Sequence, residues 1–358
     1  MGLPEIRISF QKKASAAIRR GTRGLVAVLL DDATGEQFLS PYRWWRDVQE
    51  KDWTKENLKA LQLVFKGSPQ RVIAVRLLKK EEAVDLKGTL EEIGPLNMDY
   101  IVYPGYTNAD KVTIKEFLAA AHKAGKKAKV VLPSCDADDC HIINFATESI
   151  TAKWPDTEET ITYTGAEYCC RIAGILAGLP LSQSCTYYEL EEIVDAQLAA
   201  DADAEIDSGK LIVIFDGEKY KLGRGVTSLV TVSDTNPEDF KKIKIVEGMD
   251  VITYDIQSTF MDTYVGKVAN SYDNKQIFVG AVNDYLRQLL NTVLDGEGEN
   301  YVKVSAEGNR EYLEEKGTDT SEMTYQELLE ANTGPWLYLE GTCSFLDAME
   351  DMDLKMYM

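Results

Sequence analysis

Residues 99–133 read DYIVYPGYTNADKVTIKEFLAAAHKAGKKAKVVLP: an apolar run, an amphipathic run, and a second apolar run. Tyr100, Ile101 and Val102 are continuous rather than alternating, which fits a strand buried on both faces, and a Pro–Gly turn ends them. Thr113 and Glu116 have capping-box spacing, so a helix is predicted to start at Thr113 and close at Gly125. KAKVVLP then reads as the next strand. Strand, helix, strand in this order predicts parallel strands joined by a helical crossover.

The same grammar extends in both directions. GLVAVLLDD (24–32) and RVIAVRLL (71–78) are further buried strands, with WTKENLKALQLVF (53–65) between them as a helix capped by Thr54. A second box, Thr164 with Glu167, opens TGAEYCCRIAGILAGLP, and Gly178 and Pro180 stop it. Beyond Asp201 the texture changes. KLIVIFDGEKYKLG (210–223) reads as a hairpin turning at Asp216 and Gly217, and Asn236 with Pro237 reads as a helix start. Long helices near 249–265 and 273–294 follow, then a short helix at 324–331 and a strand in GPWLYLEGTCSF (334–345). The expected fold is α/β, with a mainly parallel domain over 21–230 and an α+β domain over 231–345.

The two ends differ from both. Ile6, Ile8 and Phe10 alternate with polar residues, and so do Leu354, Met356 and Met358. Period-two alternation is the mark of a half-buried strand. Each lies beyond a polar segment, so 1–20 and 346–358 are read as arms, with Gly21 and with Ala348, Met349 and Glu350 as hinges. A strand with an exposed edge must pair, at home or by addition to another chain.

Asp and Glu outnumber Lys and Arg by 59 to 39, a net charge of −20, which repels nucleic acid and anionic membranes. No apolar run approaches a membrane span, and MGLPEIRISF is too polar for a secretory leader. The six cysteines therefore read as small core residues of a chain made in a reducing cytoplasm. CDADDCH (135–141) is the one local cluster of metal-type ligands, but it lacks a second half for zinc and the Gly and distal Glu of a calcium loop. Vicinal Cys169 and Cys170 point about 100° apart on a helix, unlike a redox pair. There is no G-x-S-x-G or phosphate loop. No cofactor is expected and catalysis is disfavoured. The competing reading is a cytoplasmic α/β hydrolase or metal-dependent enzyme using residues 136–141.

Several strings, in this order, resemble one family. They are GSPQRVIAVRL, DYIVYPGYTN, RIAGILAGLPLSQSCTYYEL with its S-x-T-Y signature, LGRGVTSLVT, DFKKIKIVEGMDVITYDI, GKVANSYDNKQIFVGAVNDYL, and LYLEGTCSFLDAMEDMDLKMYM with its A-M-E turn. Together they resemble the contractile tail sheath proteins of phages and phage-tail-like bacteriocins, especially the compact clostridial kind. The resemblance implies a non-catalytic, subtilisin-like outer domain and a C-terminal domain facing the tail tube. It also implies a helical homo-oligomer of stacked rings whose arms join neighbouring sheets. Implied partners are the tube, baseplate and tail terminator proteins, with no nucleic acid and no direct membrane binding. The implied place is a virion or tail-like particle assembled in the bacterial cytoplasm. Lys241, Lys242 and Lys244, a basic patch in an acidic chain, become candidates for the tube contact.

Overall fold

A computed structural model describes residues 17–21, 23–155, 159–234 and 236–358. The arm residues Ile6, Ile8 and Phe10 lie outside the described residues. The described residues form two compact units: Gly21–Tyr254 with Leu346–Met358, and residues 17–20 with Asp255–Phe345.

The larger unit is built on a seven-stranded sheet. Its strands are β1 (Leu25–Leu30), β2 (Leu39–Tyr42), β3 (Arg71–Arg76), β4 (Tyr100–Val102), β5 (Lys129–Pro133), β6 (Ile142–Phe145) and, further along the chain, Lys210–Leu211. The last of these pairs with the outer side of β6, and the order continues β5, β4, β1, β3, β2. All neighbours are parallel except β2 on β3. The alternation of β1 explains its continuous apolar run: Val26, Val28 and Leu30 enter one core, while Ala27 and Leu29 enter the other. Helices α1 (Lys55–Lys66) and α4 (Gly165–Gly178) cover the first face, and α2 (Leu86–Ile93) and α3 (Lys111–Lys123) cover the second.

Local signals explain most boundaries. Thr54 Oγ1 caps α1 at Asn57 N, and the Thr164–Glu167 box is reciprocal at the start of α4. The Asp216–Gly217 turn also forms, with Gly217 at φ 101° joining Val213–Phe215 to Tyr220–Leu222. Helix α3 differs from expectation. It begins at Lys111, because Thr107 and Asp110 form the box one turn earlier and Thr113 lies inside the helix. Asn236 and Pro237 lead only into a 3-10 turn, Glu238–Lys241, before α5 (Ile243–Thr263) begins. The two units divide inside α5, at Tyr254/Asp255, and not near residue 230. Ile243, Ile245 and Val246 are buried in the larger unit, which carries the first turns of α5 with it.

The smaller unit contains the rest of α5, then α6 (Tyr272–Arg287), β7 (Asn300–Val304), α7 (Ala306–Glu315), the short helix Tyr325–Glu330 and β8 (Leu339–Cys343). β7 and β8 form an antiparallel ribbon. Phe278, Val282, Tyr285 and Leu286 of α6 form its core, where Tyr285 Oη donates to Asp255 at 2.7 Å.

Helices α1 and α4 touch through glycine. A Cβ on Gly174 would stand 2.1 Å from Val64 O, and one on Gly67 the same distance from the Gly174 carbonyl carbon. Both obstacles are backbone, so no side chain can give way. Gly174→Ala gains about 1 kcal/mol of helix propensity but overpacks the crossing by about 1–3 kcal/mol or more. The variant is therefore expected to unfold at a lower urea midpoint, followed by tryptophan fluorescence. An unchanged midpoint would refute the close crossing.

Candidate assembly site

The usual ligand crevice of an open α/β sheet lies at the carboxyl ends of the strands where their order reverses. Here that is the end of β1, and it is filled by structural contacts. Asp32 accepts from Thr34 N, Thr54 N, Thr54 Oγ1 and Asn57 Nδ2 at 2.8–3.1 Å. Burial opposes its ionisation, but these donors prevail and lower its pKa to about 2. Beside it Arg76 lies 3.9 Å over the Trp53 ring and donates to the Gln37 and Asp52 carbonyls.

The opposite edge of the sheet holds a charged seam. Glu247 and Asp250, on the first turns of α5, face the amino ends of β1, β4 and β5. Glu247 pairs with Arg23 and accepts from Tyr100 Oη. Asp250 pairs with Lys129 at 2.8 Å and His141 Nε2 at 3.2 Å. The two histidines, far apart in the pattern of the sequence, meet here with ring centroids 3.6 Å apart. His122, His141 and Asp250 bring one ligand atom each within 4.8 Å of one another, as do Asp139, Cys140 and His141. A cation at the first group would have to displace the Lys129 ammonium from Asp250. The aspartates of residues 136–141 are also engaged: Asp138 accepts from Val230 N and Thr231 N, Asp136 from Asn144, and Asp139 from His141 N. The loop is a packing element.

Three features of the chain converge elsewhere, on the C-terminal segment. Glu350 has a side chain 7% exposed, and its Oε1 accepts from Ser184 Oγ at 3.0 Å and Thr186 Oγ1 at 2.6 Å. Arg224 Nε stands 3.8 Å from the other oxygen, and Arg224 also binds Asp351. Lys242 pairs with Asp347, and Lys244 Nζ donates to the Leu346 carbonyl. The S-x-T signature, the LGRG string, the KKIK string and the A-M-E turn are thus parts of one clamp. Of the three lysines proposed for a tube contact, Lys242 and Lys244 bind their own chain, and Lys244 is 8% exposed. Lys241 is half-buried and its carbonyl accepts from Thr227 N. Ala348 is half-buried and Met349 exposed, whereas Glu350, expected at a hinge, is the most firmly held residue of the segment. Gly21 stands where the chain passes from one unit to the other.

Beyond the clamp, residues 353–358 are exposed and carry no strand pairing among the described residues. Leu354 is 65% and Met356 83% exposed. In the smaller unit the β7–β8 ribbon has unequal edges. Val302 exchanges both backbone bonds with the Asn283 side chain, N to Oδ1 at 2.7 Å and O from Nδ2 at 2.9 Å. Val302 faces Gly341 across the ladder, so this pair shares no hydrogen bond. The backbone groups of Leu339, Gly341 and Cys343 therefore point away from β7, along an edge that no other strand occupies among the described residues.

The histidine pair gives a pH signature. Burial lowers the pKa of His141, but hydrogen bonds to Asp250 and Cys140 outweigh it and raise the value from 6.5 to about 9. Burial, and then the charge of His141, lower His122 from 6.5 to about 4. The stability from protonated His141 is complete below pH 6.5 and lost as pH rises through 9. For His122 the unfolded chain binds the proton first, so stability is lost as pH falls from 6.5 towards 4. Urea midpoints are expected to peak near pH 6.5, with His141→Gln flattening the alkaline limb and His122→Gln the acid limb. Limbs unaffected by either change would refute the pairing.

Comparison with known proteins identifies the family. Residues 235–319 match the family described as phage tail sheath C-terminal domain. The tail sheath protein of Clostridium phage phiCD119 is 31% identical over 373 residues, covering all of this chain and 99% of that one. The crystal structure of a sheath tail protein from Desulfitobacterium hafniense is similar with a TM-score of 0.68 and 15% identity, over 84% of this chain and 93% of that one. The helical sheath of the anti-feeding prophage in its contracted state gives a TM-score of 0.68 and 13% identity, over 100% and 99% of the two chains. No helix among the described residues is long and apolar enough to cross a membrane. The chain belongs to the phage tail sheath proteins, a family of structural components of the tail or tail-like particle and not of enzymes.

Proposed function

We propose that this subunit polymerises as stacked rings around an inner tail tube, and that neighbouring copies are linked by strand addition. One observation carries the reading: an apolar, alternating terminal segment is exposed beyond a tightly held root, while the β8 edge, which no strand occupies among the described residues, offers backbone groups to such a strand. A link of about five backbone hydrogen bonds contributes roughly 3–7 kcal/mol at about 0.5–1.5 kcal/mol each. Repetition through a lattice makes it strong.

In this reading the larger unit is the subtilisin-like, outward-facing domain, and the smaller unit faces the tube. The arm at residues 1–20 joins a second neighbour. The flexible point of the C-terminal arm lies after Asp351, because Glu350 is moored. Lys241, not engaged with the C-terminal segment, is the remaining lysine for a tube contact. The extended sheath is a metastable assembly, and a trigger at the baseplate releases it to shorten and drive the tube through a bacterial envelope. The tail terminator closes the far end, and assembly takes place in the host cytoplasm.

Negative-stain microscopy of the purified protein is expected to show rings, tubes or polysheaths. Deleting residues 353–358 should leave melting unchanged and abolish those assemblies. A deleted protein that still forms tubes would overturn strand addition at this end. Glu350→Ala removes charge-assisted bonds worth about 1.5–3 kcal/mol. It should therefore leave the sheet folded and raise the concentration needed for assembly roughly tenfold or more. An unchanged threshold would exclude the clamp as the root of the arm.

A further inference from the structure

The smaller unit has a pocket of about 380 Å³ walled by Phe260, Tyr264, Phe278, Pro335 and Leu337. Three of the walls are aromatic and packed together, with ring centroids 4.8–6.1 Å apart. Lys275 also lines it and is only 2% exposed. Its ammonium donates to Ala331 O at 3.2 Å and Thr333 Oγ1 at 3.0 Å, both neutral oxygens. An ammonium has three donors, so one is left over among the described residues. A buried cation held only by neutral groups is under-compensated. The complement of such a pocket is a carboxylate flanked by apolar side chains.

The chain carries one such stretch. Met352, Asp353 and Leu354 alternate apolar, acidic, apolar, and Met352 is 86% exposed. The other acids of the segment are committed: Asp347 to Lys242, Glu350 to Ser184 and Thr186, and Asp351 to Arg224. Among the described residues Asp353 has only the exposed Lys355, at 3.6 Å. Leu337 stands two residues before β8, so the pocket adjoins the edge proposed to receive the strand. We infer that the pocket of one copy takes the 352–354 stretch of a second copy through Asp353, paired to the buried Lys275, with Met352 and Leu354 on the opposite face of the added strand. This rests on the strand-addition reading and adds the residue that fixes which segment is accepted, since backbone pairing alone is indifferent to sequence.

The test is a double-mutant cycle in the full-length protein, read as the concentration at which assemblies sediment. Asp353→Asn and Lys275→Met should each raise that concentration about tenfold, and the pair together no further than either alone. Asp353→Lys should raise it more, with no route to misfolding because the residue is exposed. Thermal melting of the dispersed subunit checks that Lys275→Met is folded. Additive effects, or assembly indifferent to both Asp353 variants, would overturn the pocket pairing. If deletion of 353–358 abolishes assembly while these point variants do not, strand addition stands and only the pocket falls. If the deletion has no effect, both fall.

Discussion

A carboxylate removed from water must be met by donors, and Glu350 Oε1 is met by the Ser184 and Thr186 hydroxyls, with the Arg224 guanidinium 3.8 Å from Oε2 as a charge and not a hydrogen bond. That requirement fixes where the chain can go after Phe345. The outer ion pairs, Arg224 with Asp351 and Lys242 with Asp347, are partly exposed and worth little alone. The buried carboxylate is the anchor, and it divides residues 346–358 into a root bonded to the sheet unit and an exposed tip that pairs with no strand among the described residues.

A second set of buried charges explains how α5 serves two units. Glu247 and Asp250 face the sheet edge and meet Arg23, Tyr100, Lys129 and His141, so the first turns of the helix cannot leave the larger unit. Asp255, one turn on, receives Tyr285 of the smaller unit. The chain therefore changes unit within one continuous helix.

Much of the larger unit was legible in the sequence because its determinants are local. The continuous run of β1, the Thr54 cap and the Thr164–Glu167 box each act within a few residues. Thr113 misled because an equally good box, Thr107 with Asp110, lies one turn earlier and the helix starts from the first one available. The assembly site was half legible. Its strings were recognisable, but the contact between Ser184 and Glu350 spans 166 residues and no periodicity announces it. The meeting of His122 and His141 was equally hidden, since parallel strand order and not sequence distance brings them together. One signal was available: Glu247 and Asp250 fall on the same helical stripe as Ile243, Val246 and Tyr254. Acids on an apolar stripe demand buried partners.

Asn283 has a consequence for the whole polymer. With Val302 N and O occupied by an amide side chain, the β7 side of the ribbon is capped at its middle residue, which directs strand addition to the β8 side. A ribbon open on both sides would propagate as an unlimited sheet, the route to amyloid-like aggregation. One blunted side gives the ribbon a direction, so each link has a defined donor segment and a defined acceptor edge.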